Sequence, residues 1–172
     1  MSTVQKTLYL VRHAKSSWKD GSLSDRDRPL NKRGRRSAPD MGSRMANQGH
    51  RPDLIVSSPA NRAITTARMI ALEVDYDLMD IVTDENLYFS GISGMANVLQ
   101  GIDDRYQKVM MVGHNPTITG LMNTLGDTPV ANMPTCAIAV IGLNMDSWAD
   151  LDQVQGDLLG YDYPKGAGVF IQ

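Results

Sequence analysis

Short apolar runs alternate along the chain with longer stretches of mixed polarity. Three of these runs, at residues 8–11, 54–56 and 109–112, are typical of buried strands, and each ends abruptly in polar or small residues. Between the runs, apolar side chains recur at the three- and four-residue spacing of a helix that buries one face. The alternation predicts an α/β fold, with helices on both faces of a mostly parallel sheet.

The first half of the chain gives clear element boundaries. A strand is predicted over about residues 7–11, followed by a polar loop from Lys15 to Leu30. A helix then begins near Asn31, a good N-cap, and ends near Gly49. Pro39 either kinks this helix or marks a restart with Ser37 as the cap. The predicted buried face of the helix consists of Ala38, Met41, Met45 and Ala46.

The second half continues the alternation of strands and helices. A strand over about 53–57 leads into a helix for which Ser58 is the predicted N-cap and Pro59 the first position. The remaining elements are a short strand near 81–82, a helix near 92–100, a strand over 109–113, a helix that follows Asn115-Pro116 and ends at Gly126, a strand over 136–143 and a weaker edge strand over 153–160. The pattern leaves the order of the strands open.

Length and composition predict a single domain. The 172 residues are 42% hydrophobic and contain no repeat or long linker, so residues 1–172 are expected to form one domain, with a loose tail after about 164. The net charge of −2 gives no basic field for nucleic acid. Because no apolar signal core or run of about 18 apolar residues is present, we expect a cytoplasmic protein without a membrane partner. Cys136, the single cysteine, is expected to be a small buried side chain.

Candidate chemistry lies where the predicted strands end. Ligands of open α/β sheets bind beyond the carboxyl ends of the strands. Arg12 and His13 follow the first strand, Arg62 lies in the first helical turn after the second, and His114 follows the third. The arginine fork matches phosphate oxygens. Because a cation in the first turn opposes the helix dipole, Arg62 indicates a bound anion there, the alternative being an ordinary surface arginine.

Histidine suits phosphoryl transfer because its neutral imidazole keeps one lone pair. Neighbouring arginines disfavour the imidazolium and keep that lone pair available. His50 falls at the opposite end of its strand and is expected to be an ordinary loop residue. No HxH, HExxH or cysteine cluster occurs, and two arginines would repel a divalent cation, so no metal site is expected.

Four motifs resemble those of a known family in their order. They are Leu10-Val11-Arg12-His13-Ala14, Leu30-Asn31-Lys32-Arg33-Gly34, Ser57-Ser58-Pro59 with Arg62, and Gly113-His114-Asn115. The set, spanning residues 8 to about 145, is similar to the histidine phosphatase superfamily, the phosphoglycerate-mutase-like proteins. The form Arg-His-Ala-Lys-Ser-Ser, with Asp27-Arg28-Pro29-Leu30, resembles the SixA-type phosphohistidine phosphatase branch.

The resemblance implies a phosphoglycerate-mutase-like three-layer α/β/α fold and a double-displacement mechanism. His13 would be the nucleophile. It would accept the phosphoryl group from the substrate, and water would then remove that group from His13. Arg12, Arg62 and His114 would complete the phosphate pocket, and no cofactor is expected. The chain departs from many members at Ala14 and Lys15, where glycine and then Glu or Gln are common, and at Lys19, where asparagine is frequent.

The substrate depends on a proton donor. Glu85 is the nearest candidate for the acid that protonates an alkoxide leaving group, and its alternative role is that of an ordinary loop charge. Cleavage of a P–N bond needs less acid assistance, so the poorly matched acid favours phosphohistidine in a phosphocarrier or signalling protein. A phosphomonoesterase for a small metabolite and a non-catalytic phosphate-binding module remain alternatives, and the oligomeric state stays open.

Overall fold

The computed structural model describes residues 6–167, which form one mixed sheet with helices on both faces. The strands are β1 (Lys6–Arg12), β2 (Leu54–Ser57), β3 (Val82–Thr83), β4 (Lys108–Gly113), β5 (Ile138–Leu143) and β6 (Asp157–Asp162). The α-helices are α1 (Lys32–Asn47), α2 (Asn61–Glu73), α3 (Asn86–Phe89), α4 (Gly91–Gln100) and α5 (Thr117–Leu125). Single 3-10 segments cover Asp25–Asp27, Leu78–Asp80 and Trp148–Gln153.

The strand order is β3-β2-β4-β1-β5-β6. The first four strands of this order run parallel to one another, whereas β5 and β6 pair antiparallel with their neighbours. The predicted α/β class with a mostly parallel sheet is therefore confirmed. The order also places β2, β4 and β1 side by side, so that their carboxyl ends share one edge of the sheet.

Both faces of the sheet are covered, which explains the continuous apolar runs. Along β1, Leu8 and Leu10 pack into the core beneath α4 and α5, whereas Tyr9 and Val11 pack beneath α1 and α2. All of these side chains are essentially inaccessible to solvent. A strand buried on both faces has no polar positions to alternate with apolar ones.

The start of α2 differs from the prediction. The helix begins at Asn61 with Ala60 as its N-cap residue, so the expected roles of Ser58 as N-cap and Pro59 as first helical position are wrong. The Ser58 hydroxyl instead accepts a hydrogen bond from the amide of Ala60 and contacts His114. Ser58 closes a turn before the helix, and Arg62 still lies in the first turn of α2.

In α1, the predicted cap is confirmed, because Asn31 Oδ1 accepts from the amide of Gly34 at 2.8 Å. The helix continues through Pro39 without a restart. The expected alternative cap, Ser37, bonds back to the carbonyl of Arg33 one turn earlier, which leaves it unable to cap a second helix.

The elements of the second half shift by a few residues. The predicted strand over 136–143 begins at Ile138, because Cys136 adopts a left-handed backbone with φ of 61°. The expected edge strand over 153–160 is displaced to Asp157–Asp162, and α3 and the Trp148–Gln153 segment were not predicted. Of the expected tail, Pro164 accepts a hydrogen bond from Arg44, and residues 168–172 lie outside the described part. No helix within residues 6–167 is long and apolar enough to span a bilayer.

Candidate active site

The three predicted strand ends meet at one edge of the sheet. The amide of His13 donates to the carbonyl of Gly113 at 3.1 Å, and the amide of Ser58 donates to the carbonyl of Val112 at 3.0 Å. Beyond these bonds lies a cavity of about 240 Å³. It is lined by all four residues predicted for phosphate binding: Arg12, His13, Arg62 and His114. The other lining residues are Lys15, Ser16, Trp18, Arg28, Asn115 and Thr135.

The backbone fixes the His13 ring and its tautomer. His13 Nδ1 lies 2.7 Å from the carbonyl oxygen of Ala14. A carbonyl only accepts hydrogen bonds, so Nδ1 carries the proton and Nε2 of the neutral ring keeps its lone pair. The backbone of Ala14 is itself fixed, because its amide donates to Oγ1 of Thr66, a residue of α2, at 3.0 Å. The arrangement leaves Nε2 of His13 unprotonated in a ring that lines the cavity.

Electrostatics reinforce this state. Burial above all, together with the charges of Arg62 and Arg12, lowers the pKa of His13 from 6.5 to about 4, against the opposing hydrogen bond to Ala14. The imidazole is therefore neutral throughout the physiological range. The cationic surroundings that suit a phosphate also keep this base unprotonated.

His114 lies beside His13, with 5.1 Å between the ring centroids. Its Nε2 is 2.8 Å from Ser58 Oγ, and this hydroxyl oxygen also accepts a hydrogen bond from the amide of Ala60. Burial, followed by the neighbouring His13, lowers the pKa of His114 to about 3. If Ser58 donates its proton to Nε2, the neutral ring carries its own proton on Nδ1 and can donate there.

Both predicted arginines are anchored by part of their guanidinium groups only. Arg12 Nη1 donates to the carbonyl of Met133 at 2.8 Å. Arg62 donates from Nη1 to the carbonyl of Asp25 at 2.6 Å and from Nη2 to its carboxylate at 3.0 Å. Among residues 6–167, nothing accepts from the buried Nε of either arginine, or bonds to Nδ1 of His114. Buried donors of this kind are normally satisfied, and all three residues line one cavity, which indicates a place for an anion.

Arg28 is the third arginine that lines the cavity, and its side chain is buried. It was not among the predicted site residues. Its Nη1 donates to Ser16 Oγ at 2.7 Å, and its Nε and Nη2 reach Asp25 Oδ1 at 3.2 and 3.1 Å. The guanidinium stacks 3.5 Å from the ring of the exposed Trp18. Its position depends on how the 15–30 loop folds back. The one signal in the sequence was the Asp27-Arg28-Pro29-Leu30 motif.

Asp25 links two of these arginines. Its carboxylate receives Arg62 and Arg28, and Tyr88 donates its hydroxyl proton to Oδ2 at 2.7 Å. The Tyr88 bond, followed by those from Arg62 and Arg28, lowers the pKa of Asp25 to about 2. The carboxylate is thus ionised at neutral pH and holds the two guanidinium groups in fixed positions.

Comparison with known proteins assigns the family. The sequence pattern of the histidine phosphatase superfamily (branch 1) matches residues 8–88, which include Arg12, His13 and Arg62. An uncharacterized chloroplastic protein of Arabidopsis thaliana is 30% identical over 164 residues, covering 90% of this chain and 74% of that protein. The chain belongs to the histidine phosphatase superfamily.

Solved structures show which members of this superfamily the chain resembles. A candidate phosphohistidine phosphatase SixA from Agrobacterium tumefaciens is 27% identical, with a TM-score of 0.77 over 93% of this chain and 99% of that one. A protein histidine phosphatase SixA complexed with tungstate shares the fold, with a TM-score of 0.78, 19% identity and coverage of 92% and 97%. The chain therefore resembles a SixA protein over 93% of its length.

Glu85, the candidate acid, is not among the residues that line the cavity. Both of its carboxylate oxygens are bound by Arg26, at 2.5 and 2.8 Å, and its side chain is 54% exposed. The Arg26 hydrogen bonds lower its pKa below the ordinary value. Glu85 is consequently ionised at neutral pH and has no proton to donate.

A metal site finds no support in the side chains that the structure describes. Among them, no three His, Cys, Asp or Glu residues come together in a way that would hold an ion. The cations at the cavity would also repel one.

His50, the third histidine, lies away from this edge of the sheet, with Nδ1 3.3 Å from the Tyr9 hydroxyl.

Proposed function

We propose that the protein is a phosphatase that removes the phosphoryl group from a phosphohistidine side chain of another protein, with His13 as the transient phosphoryl acceptor. The observation that carries the proposal is the His13 ring. Its Nδ1 is committed to the Ala14 carbonyl, so its Nε2 lone pair is free beside Arg12 and Arg62. A neutral imidazole among guanidinium groups is a nucleophile placed beside an anion-binding site.

The reaction proceeds in two displacements. His13 Nε2 attacks the phosphorus atom, and the P–N bond to the substrate histidine breaks, with the leaving nitrogen keeping the electron pair and taking a proton from solvent. Water then attacks the phosphorus atom carried by His13, the new P–N bond breaks with its electron pair returning to Nε2, one proton of the water is released to solvent, and phosphate leaves. In both steps the buried donors of Arg12 and Arg62 stabilise charge on the equatorial oxygens. Arg28 and His114 provide further donors at the same cavity.

The leaving group distinguishes phosphohistidine from phosphate esters. An alkoxide leaves poorly without a proton donor, whereas an imidazole leaves with little assistance. The nearest candidate for this task, Glu85, is ionised and paired with Arg26, and it does not line the cavity. The likeness to SixA proteins supports the same substrate class. The tungstate in one of those structures suits a pocket for tetrahedral oxyanions.

The test compares turnover of a phosphohistidine-containing peptide, p-nitrophenyl phosphate and a panel of alkyl phosphates. We expect phosphohistidine to be the best substrate, the aryl ester intermediate and the alkyl esters poor. An acid-labile phosphoenzyme should be trapped in the wild type and absent in His13→Ala. His50→Ala is the matched control, because that histidine lies outside the cavity, and it should retain the adduct.

Three results would redirect the proposal. Better turnover of alkyl esters than of phosphohistidine would make the protein a phosphomonoesterase for a small metabolite. A phosphoenzyme that persists in His13→Ala would remove His13 from its role. Binding of tungstate without turnover of any of these substrates would indicate that the protein is a non-catalytic phosphate-binding module.

A further inference from the structure

The catalytic cavity continues into a groove along the N-terminal half of α1. Thr135 lines both the catalytic cavity and an adjoining cavity of about 130 Å³. Arg33 and Lys165 line that second cavity and also a third one, of about 430 Å³, which reaches Arg36. We call this surface the α1 groove and define it by Arg33, Arg36, Thr135, Tyr163 and Lys165. It leads directly away from the site of phosphoryl transfer.

The α1 groove carries positive charge that nothing in residues 6–167 neutralises. Arg33, Arg36 and Lys165 are exposed, and none of them forms an ion pair within that range. Asp40 is the one carboxylate that lines these adjoining cavities, and Arg44 binds it at 2.8 Å. A chain with a net charge of −2 thus concentrates unpaired cations beside its candidate active site.

The wall of the α1 groove is held in place by Arg44. Besides Asp40, this side chain donates to the buried carboxylate of Asp162 and to the carbonyls of Tyr163 and Pro164, each at 2.9 Å. These bonds fasten the turn that carries Lys165 to the last turn of α1. The three cations are therefore presented on a preformed surface.

Helix stability does not account for these cations. Lys32, Arg33, Arg35 and Arg36 all lie in the first five residues of α1, where positive charge opposes the helix dipole. Arg35 has a structural use, because it donates to the carbonyl of Leu30 at 2.7 Å. Arg33 and Arg36 have no such contact within the described residues. They lie three residues apart, on neighbouring positions of the helix surface.

We propose that the α1 groove is a second anion-binding subsite, which docks acidic side chains flanking the phosphohistidine of a protein substrate. This inference rests on the proposed function. Exposed cations each contribute little to affinity, so spread-out charges of this kind suit several carboxylates on a macromolecular surface. Such complementary charge also fixes the orientation of a docked partner and speeds its association. A small metabolite would be bound more effectively by cations enclosed around it.

The experiment uses two phosphohistidine peptides of equal length. In one, the residues flanking the phosphohistidine are Glu and Asp, and in the other they are Gln and Asn. The ratio of the two kcat/KM values measures acidic preference in the wild type, Arg33→Glu and Arg36→Glu. Arg68→Glu is the matched control, because Arg68 is exposed on α2, forms no ion pair within the described residues and undergoes the same charge change. Turnover of p-nitrophenyl phosphate reports the chemical step and folding of each variant.

We expect the wild type to prefer the acidic peptide, and added salt to weaken that preference. Each groove variant should lower the ratio about threefold to tenfold, because the charge reversal replaces a modest attraction between an exposed arginine and the acidic peptide with repulsion. Arg68→Glu should leave it unchanged. Equal turnover of the two peptides by the wild type, or an equal loss in Arg68→Glu, overturns the docking role alone. Hydrolysis of p-nitrophenyl phosphate but of neither peptide overturns the proposed function and this inference with it.

Discussion

The protonation state of His13 gives the sharpest physical test. Burial and the arginine charges lower its pKa from 6.5 to about 4, which corresponds to roughly 3 kcal/mol against the charged form. At pH 5.5 an ordinary histidine is about 9% neutral, whereas one with this lowered pKa is about 97% neutral. Acidification to pH 5.5 should therefore leave the nucleophile almost entirely unprotonated.

Nitrogen NMR of a sample labelled in its three histidines can measure the protonation state of His13 directly. His50→Gln and His114→Gln assign the signals. We expect His13 to titrate near pH 4, with the proton of the neutral ring on Nδ1. A midpoint between 6 and 7, or a proton on Nε2, would refute the argument that the Ala14 carbonyl and the neighbouring arginines set the state of the ring.

The same shift predicts how stability depends on pH. The folded-state pKa lies below the unfolded value of about 6.5, so between pH 6.5 and about 4 the unfolded chain binds more protons. The free energy of unfolding should accordingly fall as the pH falls through that range. His13→Asn removes this contribution, and urea denaturation of both proteins at several pH values measures the difference. Parallel pH profiles for wild type and variant would contradict the lowered pKa.

Three further predictions follow from the contacts of individual residues. Arg62→Ala should lower phosphohistidine turnover by about 10²- to 10³-fold, the usual loss for a transition-state donor, and a smaller loss in steady-state assays would mean that Arg62 acts elsewhere. Glu85→Gln should cost less than about tenfold and EDTA should leave turnover intact, since Glu85 is paired with Arg26 and is not among the cavity-lining residues. Gly34→Ala should destabilise the fold by about 1–3 kcal/mol in chemical denaturation, because a Cβ there would overlap the carbonyl of Lys15; Gly21→Ala, in open space, is its control.

Much of the fold follows from local patterns in the sequence. The apolar runs locate β1, β2 and β4, because strands buried on both faces need continuous apolar residues. The Asn31 cap marks the start of α1 correctly. Ser58 was misassigned because the same hydroxyl that suits an N-cap also serves a turn and His114, and only the folded chain decides between these partners.

The candidate site was predictable where residues follow strands and unpredictable where a loop returns to them. Arg12, His13 and His114 sit at strand ends, so the parallel sheet alone brings them together. Arg28 and Asp25 reach the site through a loop whose path is set by distant contacts, such as the antiparallel bridge between Ser16 and Leu30. No periodicity in residues 15–30 encodes that path.

One set of charges meets two chemical demands at this site. A phosphoryl group needs cations around it, and a histidine nucleophile needs to stay unprotonated; Arg12 and Arg62 serve both, because each lowers the pKa of His13. Asp25 adds the opposing charge that keeps Arg62 and Arg28 in position. Arriving phosphate neutralises part of the positive field and so raises the proton affinity of the ring, but by then Nε2 lies against phosphorus and is no longer free to bind a proton. Loss of an arginine should therefore impair substrate binding and also raise the pKa of His13, although burial, the largest cause of the lowered pKa, still acts on the ring.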